Sequence, residues 1–408
     1  MERLIVYNIG LLATPEGRRA RRGAEQGKIE LKKGAWIYAE DGVIHAVGTG
    51  ETPHSPGAEI IDARGRLVTP GFVDAHTHLI FGGWRQNELG LKLHGVSYLE
   101  ILARGGGILS TVRATRQASE DELFERAKAA ADEMLRLGVT SFEAKSGYGL
   151  DLETELKQLR VIRRLSAAHP ADVAATFLGA HAVPEEYRSD REGYISLICD
   201  EMIPAVAAEG LAKFCDVFCE EGVFSAEESK RILECGVHYG LIPKIHADEI
   251  RPIGGSQLTA EVGAISAEHL IVCPREGIEA MARAGTVACC LPATSFYLGS
   301  TYAPAREMID AGVPVTIASD FNPGSCPSLN LQLAANIGCL KYRLTPEEVL
   351  TAVTLNAAAA IGLESSVGSI EEGKQADLVI WDAPDLDYIF YRMGSNLAHT
   401  VIKKGRVV

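Results

Sequence analysis

The stretch that decides the fold is residues 68–85, V-T-P-G-F-V-D-A-H-T-H-L-I-F-G-G-W-R. An apolar run over 72–75 leads into His76 and His78, two apart at the end of what reads as a buried strand. Side chains two apart on a strand share a face, so both imidazoles project the same way, roughly 7 Å apart at the α-carbons. That is close enough to grip one metal ion. A His-x-His pair is also common as two polar loop groups, so its partners decide between the readings.

Such partners follow. His246 in K-I-H-A-D-E, His269 in A-E-H-L-I-V and Asp320 in V-T-I-A-S-D-F-N-P-G each stand at or near the end of another short apolar run. Residues distant in sequence but all at strand ends are what a parallel barrel gathers at one face. Together they point to a metal site.

Apolar runs at 67–75, 139–144, 173–180, 215–219, 243–247, 267–272, 286–291 and 315–319 alternate with helix-patterned segments. Eight such units in about 290 residues predict a (β/α)8 TIM barrel rather than an open sheet. Among the helices, 121–137 begins after a Ser119 N-cap and ends at Gly138, and 152–168 is rich in Leu, Glu, Lys and Arg. The chain ends read differently. Residues 36–39, Asp41-Gly42 and 43–47 form a hairpin pattern, since Asp-Gly tolerates positive φ, and 376–381 and 400–408 read as strands, the second broken at Lys404-Gly405. The predicted organisation is a small composite β-sandwich-like domain formed by both termini (1–66 plus 365–408) and the α/β barrel between (67–364).

The 408 residues suffice for both parts, and 47% hydrophobic with 23% charged residues is ordinary for a globular enzyme. A net charge of −14 argues against nucleic acid or an anionic membrane as partner, since both need a basic surface. Nine cysteines, odd in number and scattered through strands and helices, with no secretory pattern at the N-terminus, point to a cytoplasmic protein. The basic run 18–22 reads as a solvated loop.

On the eight-strand count, His76 and His78 close strand 1, His246 strand 5 and Asp320 strand 8, while His269 sits in strand 6. Imidazoles and one carboxylate suit a single divalent metal, zinc or iron, with room for water, whose pKa the metal lowers toward neutrality. A hydrolase or deaminase follows. Asp320 is placed to touch the metal and take a proton, and Glu249, three beyond His246, to carry one to a leaving nitrogen. This is not the helical His-Glu-x-x-His motif, whose second histidine is absent. His269 reads as a base or water-orienting group, with a core hydrogen-bonding role as its plain alternative; His181, ending strand 3, reads as a substrate contact. Lys145 after strand 2 reads as structural or electrostatic, and strand 4 ends in Cys219-Glu220-Glu221 without the lysine of two-metal barrels, which favours one metal, with Glu220 as a second-site ligand the alternative.

The long connection over 82–115 belongs to the end of a barrel where substrate contacts gather. Gly82-Gly83-Trp84-Arg85 supplies a guanidinium suited to a bidentate grip on a carboxylate. Ser146-Gly147-Tyr148-Gly149 offers hydroxyls on a glycine-flanked turn, and Asn322-Pro323-Gly324-Ser325 an amide and backbone groups. A small anionic, nitrogen-containing heterocycle fits these groups.

These residues resemble the amidohydrolase superfamily and, within it, the imidazolonepropionases, which open 4-imidazolone-5-propanoate to N-formimidoyl-L-glutamate in histidine metabolism. The matching segments are H-T-H-L-I-F-G-G-W-R, A-R-G-G-G-I-L-S-T-V-R-A-T-R, E-A-K-S-G-Y-G-L-D-L-E-T-E-L-K, F-L-G-A-H-A-V-P, H-A-D-E and D-F-N-P-G-S. The resemblance implies metal at His76, His78, His246 and Asp320, substrate contacts from Arg85, Tyr148, His181, Glu249, Asn322, Gly324 and Ser325, and a homodimer. Glu249 stands where the family also uses glutamine, and Ser325 where threonine is more usual. A mononuclear deaminase of a nucleobase or related heterocycle is the nearest alternative and predicts ammonia release; a catalytically silent scaffold predicts loss of the metal ligands.

Overall fold

The computed structural model describes residues 2–96, 100 and 106–408. Among these, sixteen strands form two eight-stranded sheets. The N-terminal region gives β1 (Arg3–Thr14), β2 (Glu30–Glu40), β3 (Val43–Thr49), β4 (Glu59–Asp62) and β5 (Leu67–Pro70). The middle gives β6 (Phe72–Asp74), β7 (Val139–Lys145), β8 (Asp172–Ala180), β9 (Phe214–Cys219), β10 (Ile242–Ala247), β11 (Ser266–His269), β12 (Val287–Cys290) and β13 (Val315–Ile317). The last part gives β14 (Leu378–Trp381), β15 (Ala398–Lys403) and β16 (Arg406–Val407).

Strands β6 to β13 pair side by side in sequence order, all parallel, with helices between them. The seam between the first and last is stitched just beyond the strands, where His78 N donates to Phe321 O at 2.9 Å and Asp320 N to His76 O at 3.0 Å. This is the expected (β/α)8 barrel. The other sheet joins both ends of the chain, in the order β16-β15-β14-β5-β1-β2-β3 with β4 also on β1.

The run 67–75, expected as one barrel strand, is two. Residues Leu67–Pro70 pair with β1 and β14 in the terminal sheet, and only Phe72–Asp74 enter the barrel. Pro70 has no N–H to continue a ladder, and Gly71 marks the crossing because a Cβ there would lie 2.2 Å from Thr140 Oγ1. The strand over 267–272 is likewise shorter than expected, ending at His269 because His269 (φ 69°) and Leu270 (φ 58°) adopt left-handed backbone.

Local signals hold closely. Ser119 caps Glu120–Arg136 in a capping box with Glu122, and that helix turns Leu123, Phe124, Ala127, Ala131 and Met134 inward at helical spacing. Burying each large apolar side chain of that set contributes roughly 1.5–3 kcal/mol. Helix Leu152–Ala168 is capped by Asp151, whose side chain accepts from Thr154 N. Asp41 (φ 47°) and Gly42 (φ 81°) make the hairpin turn between β2 and β3. The basic loop is more than solvated, since Arg18 donates to Ser365 O at 2.8 Å and Glu372 O at 3.3 Å. Part of the motif A-R-G-G-G-I-L-S, residues 103–105, lies outside the described residues, as does part of the connection over 82–115. No helix among the described residues is long and apolar enough to cross a membrane.

Candidate active site

The seam places His76 and His78 beside Asp320, and β10 brings His246 to the same point. His76 Nε2 lies 3.2 Å from His78 Nε2 and 3.4 Å from Asp320 Oδ1; His78 Nε2 lies 3.4 Å from His246 Nε2 and 3.6 Å from Asp320 Oδ1. Burial forces the imidazoles neutral: the pKa values of His76 and His78 fall well below the ordinary value, and that of His246 falls to about 3. Neutral rings are the ligating form.

His246 Nδ1 faces Asp216 at 3.0 Å, which makes that nitrogen the protonated one and leaves Nε2 a lone pair aimed at the cluster. Ring nitrogens this close cannot all satisfy one another. A tetrahedral ion with bonds of about 2.0–2.1 Å needs ligand atoms about 3.3 Å apart, which matches the four separations. The compact group His76, His78 and Asp320, with His246 adjoining it through His78, therefore suits one divalent cation. Thr294 Oγ1 donates to Asp320 Oδ2 at 2.6 Å and so leaves Oδ1 to face His76 and His78. Desolvation raises the Asp320 pKa to about 6.

Around this centre stand the other expected residues. His269 brings a ring nitrogen near those of His76 and His246, and its Nε2 lies 3.6 Å from Glu249 Oε2. Burial, then the charge of Glu220, pushes Glu249 up to about 7. Glu220 does not reach the cluster; its carboxylate accepts from the backbone N–H groups of Ile250 (2.8 Å) and Arg251 (3.0 Å), pinning the turn that carries Glu249. His181 stacks on His78 at 4.9 Å between centroids, tilted by 11°, and desolvation lowers it to about 4. Tyr148 lies 5.3 Å from the His181 ring. The Arg85 guanidinium lies directly on Gly324, where a Cβ would fall 0.9 Å from Nη2. Asn322 spends its side chain on its own turn: Oδ1 accepts from Gly324 N (2.8 Å) and Ser325 N (2.7 Å), and Nδ2 donates to Ser325 Oγ (2.9 Å). These bonds shape the turn on which Arg85 lies.

Beneath the centre is a fully buried ionic layer that the sequence reading did not find. Lys145 Nζ meets Asp216 Oδ2 at 2.8 Å and Glu143 Oε2 at 2.9 Å, while Lys244 Nζ meets Glu143 Oε1 at 2.7 Å and Glu268 Oε1 at 3.3 Å. Burial alone would raise the Asp216 pKa, but His246 and Lys145 pull it well below the ordinary value. A signal was present: Glu143 with Lys145, and Lys244 with His246, are polar pairs two apart within apolar strands, hence on one inward face.

Fold and site together define an amidohydrolase-type barrel, and the Amidohydrolase family matches residues 59–105 and 234–408. The chain is 50% identical to the imidazolonepropionase of Alkaliphilus metalliredigens, across 99% of this chain and 97% of that one. It is 52% identical to that of Brevibacillus brevis (95% and 92%) and 49% identical to that of Streptococcus pyogenes serotype M3 (94% and 92%). The chain belongs to the imidazolonepropionase family. Solved structures of similar fold include a triazine hydrolase variant (TM-score 0.74, 18% identity, 100% of this chain and 94% of that one). Another is a zinc-bound adenosine deaminase from Xanthomonas campestris (0.72, 18%, 99% and 92%).

Proposed function

We propose that this chain is a metal-dependent hydrolase that adds water to 4-imidazolone-5-propanoate and opens its ring to N-formimidoyl-L-glutamate, a step of histidine degradation. Near-half identity to imidazolonepropionases along almost the whole chain carries the reading. The residues gathered at the barrel mouth support it.

His76, His78, His246 and Asp320 would hold the ion, and their donor types suit zinc or ferrous iron. When bound, it supplies Lewis acidity, which polarises a carbonyl and lowers the pKa of water. Asp320, whose Oδ2 is held by Thr294 while Oδ1 faces the ligand histidines, is placed to take the proton of the attacking water. His269 donates to the oxyanion that develops on the ring carbonyl. Glu249, raised to about 7, is part-protonated near neutral pH and delivers a proton to the ring nitrogen as the C–N bond breaks. Arg85 clamps the propionate, with Tyr148 and His181 flanking the ring and Gly324 and Ser325 lining the other side.

The decisive experiment is turnover of freshly prepared 4-imidazolone-5-propanoate by metal-loaded protein, with the product identified by mass. Formimidoylglutamate, lost on chelation, is the expected product. Ammonia release instead would transfer the site to heterocycle deamination.

A further inference from the structure

Four consecutive backbone N–H groups beside the centre, those of residues 147–150, point into the protein and end on two side chains of one helix. Glu155 Oε2 accepts from Gly147 N at 3.0 Å, and its Oε1 from Gly149 N at 2.8 Å and Leu150 N at 2.9 Å. Gln158 Oε1 accepts from Tyr148 N at 3.3 Å, while its Nε2 donates to Ile80 O at 2.7 Å, two residues beyond His78. Both side chains are fully buried.

The turn they hold is a costly one. Gly147 has φ +107° and Leu150, a branched residue, φ +55°, conformations that persist only when the surroundings impose them. A Cβ on Gly149 would lie 2.7 Å from the Glu155 backbone N, so turn and helix are in direct contact. What this turn presents outward is the site: Tyr148 itself, and the Gly147 carbonyl, which lies 3.0 Å from His181 Nδ1. That contact makes Nδ1 the protonated nitrogen of neutral His181 and turns Nε2 outward as an acceptor.

We propose that Glu155, assisted by Gln158, is a positioning residue for substrate binding, which fixes the Tyr148 ring and the tautomer of His181 through the 147–150 turn while touching no substrate itself. The inference rests on Tyr148 and His181 being substrate contacts. Neutral Gln at 155 keeps the shape but offers one oxygen to three donors and aims an amide N–H₂ at the rest.

The test measures kcat and KM on 4-imidazolone-5-propanoate for E155Q, Q158M, Y148F and the double variant E155Q/Y148F, with metal content and thermal unfolding for each. Expected for E155Q is a KM raised roughly ten- to hundredfold, unchanged metal content, and non-additivity with Y148F, because the first change already misplaces the ring. K403M, which breaks an ion pair at the opposite end of the barrel, controls for stability and should leave KM unchanged. If E155Q fails to fold, Q158M carries the same expectation at smaller size. A wild-type KM in E155Q or, failing that, in Q158M, or full additivity with Y148F, overturns the inference. A wild-type KM in Y148F alone instead overturns the placement of Tyr148 on the substrate.

Discussion

Asp216 stands 3.0 Å from His246 Nδ1 and, through its Oδ2, 2.8 Å from Lys145 Nζ, so one buried carboxylate ties a metal-facing imidazole to a buried ammonium. The carboxylate fixes the His246 tautomer and raises its basicity. Replacing Asp216 with Asn keeps the shape and removes the charge. Metal affinity should fall about 10- to 100-fold, read by competition with a chromogenic chelator, and an unchanged affinity would detach this carboxylate from the centre.

The contact of Arg85 with Gly324 predicts a specificity defect from a single methyl. Gly324→Ala puts a carbon where Nη2 now lies, so the guanidinium must move away from the proposed carboxylate site. KM should rise, as it should sharply in Arg85→Met, with kcat far less affected. Steady-state kinetics on both variants checks this, and the two effects should not add.

Glu249 gives a pH dependence with a definite sign. Its folded pKa of about 7 lies above the ordinary carboxylate value, so between about 4.5 and 7 the native state binds more protons than the unfolded chain. This group therefore destabilises the fold progressively as pH rises through that window and adds no further slope above it. In metal-free protein, Glu249→Gln should lose less stability than wild type between pH 4.5 and 7, measured by urea unfolding at each pH. Parallel curves would place the Glu249 titration elsewhere.

At the far end of the barrel, Lys403 binds Asp172 and Asp377, each at 2.6 Å, and so ties β15 to the start of β8. Lys403→Met leaves the buried Asp377 carboxylate without its cation, at a cost of about 3–5 kcal/mol. Denaturant unfolding should show that loss while KM is retained.

Much of this was legible in the sequence because it follows local rules. The Ser119 cap, the Asp41-Gly42 turn and the strand-end histidines are each decided within a few residues. What escaped depends on partners remote in the chain. The division of 67–75 between two sheets is set by β14, far along the sequence, and only the Pro70-Gly71 pair hinted at it. Asp216 looks like any acid in F-C-D-V-F-C until His246 and Lys145 are placed around it. That the Asn322 side chain also closes hydrogen bonds on its own turn is something spacing cannot reveal.

The passage of the chain from β5 to β6 through Gly71 has a consequence for biosynthesis. β5 needs β14 on one side, and the two leave the ribosome far apart in time: at about 5–20 residues per second the wait is on the order of 15–60 s. Throughout that interval the nascent chain carries a strand with one bare edge only a few residues ahead of His76, open to mispairing with other chains. Ribosomes that stall after Asp320 but before β14 would thus release fragments prone to aggregate, even though every metal-facing residue has already been made.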